Sequence, residues 1–150
     1  MTPSEPVFTN SRGHAALPDH TDDPGLGEVL RKLNAGRASG GPAARRRAAE
    51  ASIERRFGAS RRLAVYGSLA PGGRNHRILA PLSGEWRQGV VRGRRYPANR
   101  STKRSFPGLC LDDGAGFVPV HLLTCDSLES RWGRLDAFEG EEYLRLLCMV

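Results

Sequence analysis

Ala64–Leu79 reads AVYGSLAPGGRNHRIL, and its first half decides the fold. The β-branched and aromatic run LAVYGSL is strand material, and Gly67 stops it. A Gly- and Pro-rich turn follows, with a helical turn expected from about Asn75 to Leu79. Further along, Leu135–Arg145 reads LDAFEGEEYLR, a helix end carrying Glu139 followed by a new strand. The two segments set a loop of backbone N–H groups beside one carboxylate. A reaction needs that arrangement when an oxyanion must be held while a proton is moved.

Each motif also has a plainer reading. At Tyr66, Gly67, Ser68 and Leu69 the glycine permits a turn with amides pointing inward, which makes an anion site; otherwise this is a strand-end turn. The loop lacks the GxxxxGK[ST] spacing of a nucleotide-binding loop and the G-x-S-x-G of a serine hydrolase. Glu139 follows an apolar helix face, where partial burial raises a carboxyl pKa toward useful base chemistry. Its plain reading is a solvated helix-end Glu, like Glu141 and Glu142. Tyr143 either orients a substrate or packs. His76 and His121 have no partner at metal-ligand spacing, and His121 reads as a hydrogen-bonded structural residue within an apolar strand.

Outward from these motifs, the chain divides into three parts. Residues 1 to about 24 mix Pro, Ser, Thr, Asp and His without apolar periodicity and read as a disordered tail. Residues 25–58 read as a helical segment. Leu26, Val29, Leu30 and Leu33 space a short amphipathic helix that Gly36 ends, and RASGGP breaks it from a second helix. That second helix starts at Pro42, ends at Gly58, and buries Ala49, Ile53 and Phe57. Residues 62–150 form the main domain. Glu85 to Tyr96 alternates as a strand, and Pro97 to Phe106 is a basic loop. GLCLDDG and FVPVHLLT read as a hairpin around an Asp-Gly turn. Asp126 with Glu129 resembles a capping box for a helix burying Leu128, Trp132 and Leu135, and YLRLLCMV is the terminal strand. Mixed elements with antiparallel pairs argue for α+β with a small curved sheet or barrel.

Composition narrows the function. The 150 residues suffice for one domain with a real core, and the formal charge is +7, almost all from Arg. The arginines are scattered and aromatics few, so nucleic acid is not an expected partner. Cys110, Cys125 and Cys148 form no CxxC, which gives a zinc site no support; reduced thiols in a cytoplasmic protein are the plain reading. No apolar run spans a membrane, and the N-terminus does not read as a secretory signal.

VYGSLAPGGRNHRIL followed by LDAFEGEEYLR resembles the gamma-glutamylcyclotransferase-like, or AIG2-like, superfamily over about Arg62 to Val150. VRGRRYP and PGLCLDDG resemble the family's middle segments. The resemblance implies a small mixed β-barrel flanked by helices, with one central cavity. It implies an enzyme that cyclises a small gamma-glutamyl compound to 5-oxoproline, releasing an amine or amino acid. Carried onto this chain, Tyr66, Gly67, Ser68 and Leu69 hold the gamma-glutamyl part, Glu139 is the acid and base, and Tyr143 helps hold substrate. No metal or organic cofactor is called for, because the substrate's own α-amine is the nucleophile. The alternatives are a non-catalytic fold binding a small acidic metabolite, or a basic module using the arginine-rich helix. Family members usually carry a further strand after the YxR segment. The barrel is then left to be closed by the N-terminal region or by another chain, and an open edge favours a homodimer. His121 stands where many members have Gly, and is expected to narrow the cavity or change what it accepts.

Overall fold

The computed structural model of the chain describes residues 6–10, 25–97, 108–141 and 143–150. In chain order its elements are β1 (Pro6–Asn10), α1 (Leu26–Ala38), α2 (Ala43–Phe57), β2 (Arg62–Val65), β3 (Glu85–Tyr96), β4 (Gly108–Leu111), β5 (Phe117–Thr124), α3 (Trp132–Glu139) and β6 (Arg145–Met149). The strands form one sheet in the order β4-β3-β5-β2-β1-β6. All neighbours are antiparallel except β1 with β2, so the fold is α+β with a mixed, curled sheet.

Side-chain alternation sorts the sheet into two cores. Leu63, Val65, Leu123, Leu147 and Met149 face the helices, where they meet Leu30 and Leu33 of α1, Ile53 of α2 and Trp132 and Leu135 of α3. Ala64, Val91, Val118, Val120, Leu146 and Cys148 face the other way and pack together with Leu109 and Leu111 of β4. This second core requires curvature. Gly89 of β3 and Val150 beyond β6 are far apart in strand order, yet a Cβ at Gly89 would collide with the Val150 side chain. The sheet curls until they meet, and both faces of β6 become covered. Four consecutive buried residues, Leu146 to Met149, are the result.

The helical segment departs little from its periodicity. α2 buries Ile53, packs Ala49 and Phe57 against the core, and ends at Gly58 in the left-handed conformation. In α1, Val29 is exposed and Gly36 does not end the helix, which runs to Ala38. Its buried stripe is Leu30 and Leu33 with a polar residue, Asn34, only 2% exposed. The Asn34 amide donates to the Leu147 carbonyl at 2.7 Å and accepts from the Leu147 N–H at 2.8 Å. Arg37 donates to the Arg145 carbonyl at 3.3 Å. Leu147 therefore points its backbone away from β1, and one side chain substitutes there for a neighbouring strand. The open edge expected for the terminal strand is thus filled, by β1 on one side and α1 on the other.

Three further expectations need correction. The tail expected over residues 1 to about 24 contains a strand at Pro6–Asn10, parallel to β2 and antiparallel to β6; the rest of that tail lies outside the described residues, as does most of the basic loop after Pro97. β4 and β5 are not a hairpin. The Asp-Gly turn exists, with the Gly114 N–H bonded to the Asp112 carboxylate at 2.9 Å. Yet β3 is long enough to pair with β5 over Glu85–Arg92 and with β4 over Gly93–Tyr96, on opposite sides. The capping box does not form either. Asp126 opens a 3-10 turn without a side-chain cap and takes the Arg61 guanidinium at 3.0 Å instead. Among the described residues no helix is long and apolar enough to cross a membrane.

Candidate active site

β2 ends at Val65, and the alternation that turns Ala64 inward turns Tyr66 the same way. The chain then folds back in a tight loop whose carbonyls are consumed locally. The Gly67 carbonyl accepts from Ala70 N–H at 3.0 Å, the Ala70 carbonyl from Gly73 N–H at 2.8 Å, and the Ser68 carbonyl from Asn75 N–H at 2.9 Å. The Asn75 side chain also donates to the Ser68 hydroxyl at 2.9 Å. The His76 ring lies 3.0 Å from the Leu69 carbonyl and packs on Trp86 at 5.4 Å between centroids, so this histidine is a brace. With the carbonyls turned into the loop, the N–H groups of Gly67, Ser68 and Leu69 have no hydrogen-bond partner among the described residues.

The glycine requirement falls elsewhere than on Gly67. A Cβ at Gly67 would meet no atom within 4 Å, and its backbone is not left-handed. The crowded position is Gly73, where a Cβ would strike the Ser68 carbonyl and sit 2.9 Å from the Ala70 carbonyl oxygen. Gly73 lets the loop close on itself, which leaves the three amides without a partner among the described residues.

Glu139 is the last residue of α3, and Gly140 ends the helix at φ 78, a conformation that suits glycine. The Gly140 N–H closes on the Asp136 carbonyl at 2.9 Å, and Tyr143 N–H closes on the Gly140 carbonyl at 3.2 Å. This tight exit puts Glu139 and Tyr143 on the same wall. Arg145 fixes the exit from below: its guanidinium binds both Asp136 carboxylate oxygens, at 2.7 and 2.9 Å, and lies 4.5 Å over the Trp132 ring. The Arg of the YxR segment is a clamp between β6 and the helix that carries Glu139.

A cavity of about 590 Å³ lies between loop and helix end. Tyr66, Gly67, Ser68, Leu69, Glu139 and Tyr143, all six residues singled out in the sequence, line it. Burial pushes the Tyr66 hydroxyl well above the usual phenol range; nearby Tyr143 and Glu139 push the same way, against a backbone hydrogen bond with Leu109 and the charge of Arg95. Tyr66 is therefore a neutral donor at working pH. His121 is not among the lining residues. It pairs with Val65 and Gln88 on the sheet face opposite Val120, so it does not narrow this cavity.

Five described lining residues escaped the sequence reading as site groups: Val65, Arg74, Asn75, Arg95 and Phe138. Asn75 lay within the quoted first segment, at the start of its expected helical turn. Arg95 had a usable signal in parity, since it shares the β3 face of Gly89, Val91 and Gly93, which looks into the curl. Arg74 and Phe138 had none beyond adjacency.

Residues 63–150 match the family model described as gamma-glutamyl cyclotransferase, AIG2-like. No curated protein and no solved structure matches the chain.

Proposed function

We propose that this chain, which belongs to the AIG2-like gamma-glutamyl cyclotransferase family, cyclises a small gamma-glutamyl compound to 5-oxoproline. One observation carries the reading. Three consecutive N–H groups without partners among the described residues and one carboxylate belong to residues lining a single cavity. In this reaction the substrate's α-amine attacks its own γ-carbonyl. The new C–N bond closes a five-membered ring, the amide C–N bond breaks, and one proton passes from the attacking nitrogen to the leaving nitrogen. Glu139 takes that proton and returns it, which needs only one carboxylate within reach of both nitrogens. The amides of Gly67, Ser68 and Leu69 hold the oxyanion that forms on the γ-carbonyl oxygen. Tyr66 stays protonated and donates a hydrogen bond into the cavity, and Tyr143 holds the glutamyl chain in its cyclising conformation. Neither the Ser68 hydroxyl, engaged by Asn75, nor the braced His76 is needed as nucleophile or base.

The test is incubation with a panel of gamma-glutamyl amino acids, peptides and amines, scoring 5-oxoproline. Release from at least one compound at a catalytic rate is expected. Saturable binding of these compounds without any 5-oxoproline would instead favour a fold that only binds acidic metabolites.

A further inference from the structure

The two walls of the cavity are carried by strands that do not pair with each other. β2 leads into the Gly67–Leu69 loop, and β6 follows closely on Tyr143. In the sheet they are separated by β1, which is the only strand that pairs with β6 among the described residues. β1 is also the one described strand lying wholly outside residues 63–150, the part that matches the family model. Only residues 11–24 connect it to the segment that carries α1. Its pairing runs up to the site. Thr9 stands opposite Ala64, next to the end of β2 at Val65, and Asn10 stands opposite Arg145, the first residue of β6.

Different residues of β1 serve the two neighbours. Leu147 gives its N–H and C=O to Asn34, so its partner Phe8 turns its own N–H and C=O toward β2. Val7 and Thr9, one residue to either side, face Cys148 and Leu146 with theirs. The remaining supports of β6 do not involve β1. They are Asn34 and Arg37 of α1, the two cores on its faces, and the Arg145–Asp136 ion pair. The start of α3 is tied separately to the approach to β2, because the Trp132 indole donates to the Ser60 carbonyl at 2.8 Å. What β1 adds is a backbone link between the loop wall and the exit from α3 at Gly140–Arg145. We infer that residues 6–10 are a separable strand whose seating between β2 and β6 draws the two walls of the cavity together, so that the site is assembled with the strand in and loosened with it out. The separable strand stands on topology alone, and only its effect on turnover rests on the cyclisation reading.

The test uses the full chain carrying Phe8→Pro. Proline has no N–H to give β2 and does not fit a strand paired on both sides. Amide exchange by NMR, circular dichroism, binding of a synthetic peptide of residues 4–12 and 5-oxoproline release are measured side by side. The helices and the β3–β5 ladder should stay protected, while the Leu146 and Cys148 amides exchange about tenfold faster. The Leu147 amide, closed by Asn34, should change least. Turnover should fall about 10²-fold. The peptide should bind the variant saturably and restore both protection and turnover, and a peptide carrying the same Phe8→Pro change should do neither. Loss of the helical signal overturns the inference, since β1 is then part of an indivisible core. Unchanged exchange at Leu146 and Cys148, faster exchange that the peptide does not reverse, or wild-type turnover despite faster exchange also overturns it. Faster exchange reversed by the peptide, with no 5-oxoproline from the wild type on any gamma-glutamyl compound, upholds the separable strand and overturns cyclisation.

Discussion

Leu147 of β6 and the loop Gly67–Leu69 both present backbone groups that no strand takes up, and the protein treats them in opposite ways. At Leu147 a buried Asn34 side chain fills both the donor and the acceptor, at 2.8 and 2.7 Å. At Gly67–Leu69 three successive N–H groups meet nothing among the described residues and belong to residues lining a cavity. Burying an unpaired amide is costly, so a fold ordinarily closes such groups. The first site shows the means available to do so. In the second, Gly67 is exposed and Ser68 half-buried, so the loop stays open to solvent or a ligand beside the carboxylate-bearing helix end. The gap beside Glu139 is what the proposed reaction would use, whereas the one at Leu147 is closed by packing.

The largest expected effect breaks the closed half. Asn34→Ala strands the Leu147 N–H and C=O in a buried place and should cost about 2–6 kcal/mol, from about 1–3 kcal/mol per unsatisfied group. A thermal melt should fall by roughly 10 °C. The folded fraction should keep its activity, because the cavity does not include this residue. A melt within a degree or two of wild type would mean that water serves that edge as well as Asn34 does.

The next breaks the open half without touching the closed one. Gly73→Ala forces the loop off the Ser68 carbonyl and should lower kcat/KM by about 10²-fold, the scale of a misplaced reacting geometry. Gly67→Ala, which meets no atom, should leave stability within about 0.5 kcal/mol. If the order of the two variants reverses, the amides are not oriented by the closure at Gly73.

Arg145→Gln sharpens the comparison from the helix side. It loses the bidentate grip on Asp136 and the stacking on Trp132, so it should destabilise by about 1 kcal/mol and lower kcat more than it raises KM. Unchanged kcat would show that Glu139 keeps its place without the clamp.

The smallest effect is spectroscopic. Folded Tyr66 holds its proton to higher pH than the unfolded chain does, where phenols ionise near 10. Its contribution to stability is therefore full below that range and is lost as pH rises through the folded value. Tyrosinate absorbance should show a late component in the native protein that Tyr66→Phe removes. Absence of that component in the wild type would place the hydroxyl in water rather than at the cavity wall.

Periodicity carried much of this architecture, and its failures share a cause. β2, β3, β5, β6 and α2 follow from local alternation or helical spacing. β1 does not, because PVFTN has little pattern of its own and is a strand only between the edges of β2 and β6. The β4–β5 turn was legible, but its pairing was not: β3 is 12 residues long and takes both partners. Asn34 sits in an apolar helical stripe and its partner is 113 residues away, a distance no local pattern spans. In the site, the motif residues were visible because two short segments converge on one cavity. Arg95 was hidden among the neighbouring arginines Arg92 and Arg94, which only the strand's parity separates from it. Gly67 drew attention that the geometry assigns to Gly73, since close backbone approach depends on how the loop folds back rather than on the glycine nearest the strand.

The central claim is that Glu139 moves the proton while the neighbouring amides hold the oxyanion. The most direct measurement compares wild type and Glu139→Gln on one accepted gamma-glutamyl compound, reading 5-oxoproline formation and substrate binding separately. The account predicts that the rate falls about 10²–10⁴-fold while affinity is largely kept, because the amide preserves shape and loses only proton transfer. A variant that forms 5-oxoproline at close to the wild-type rate would contradict it.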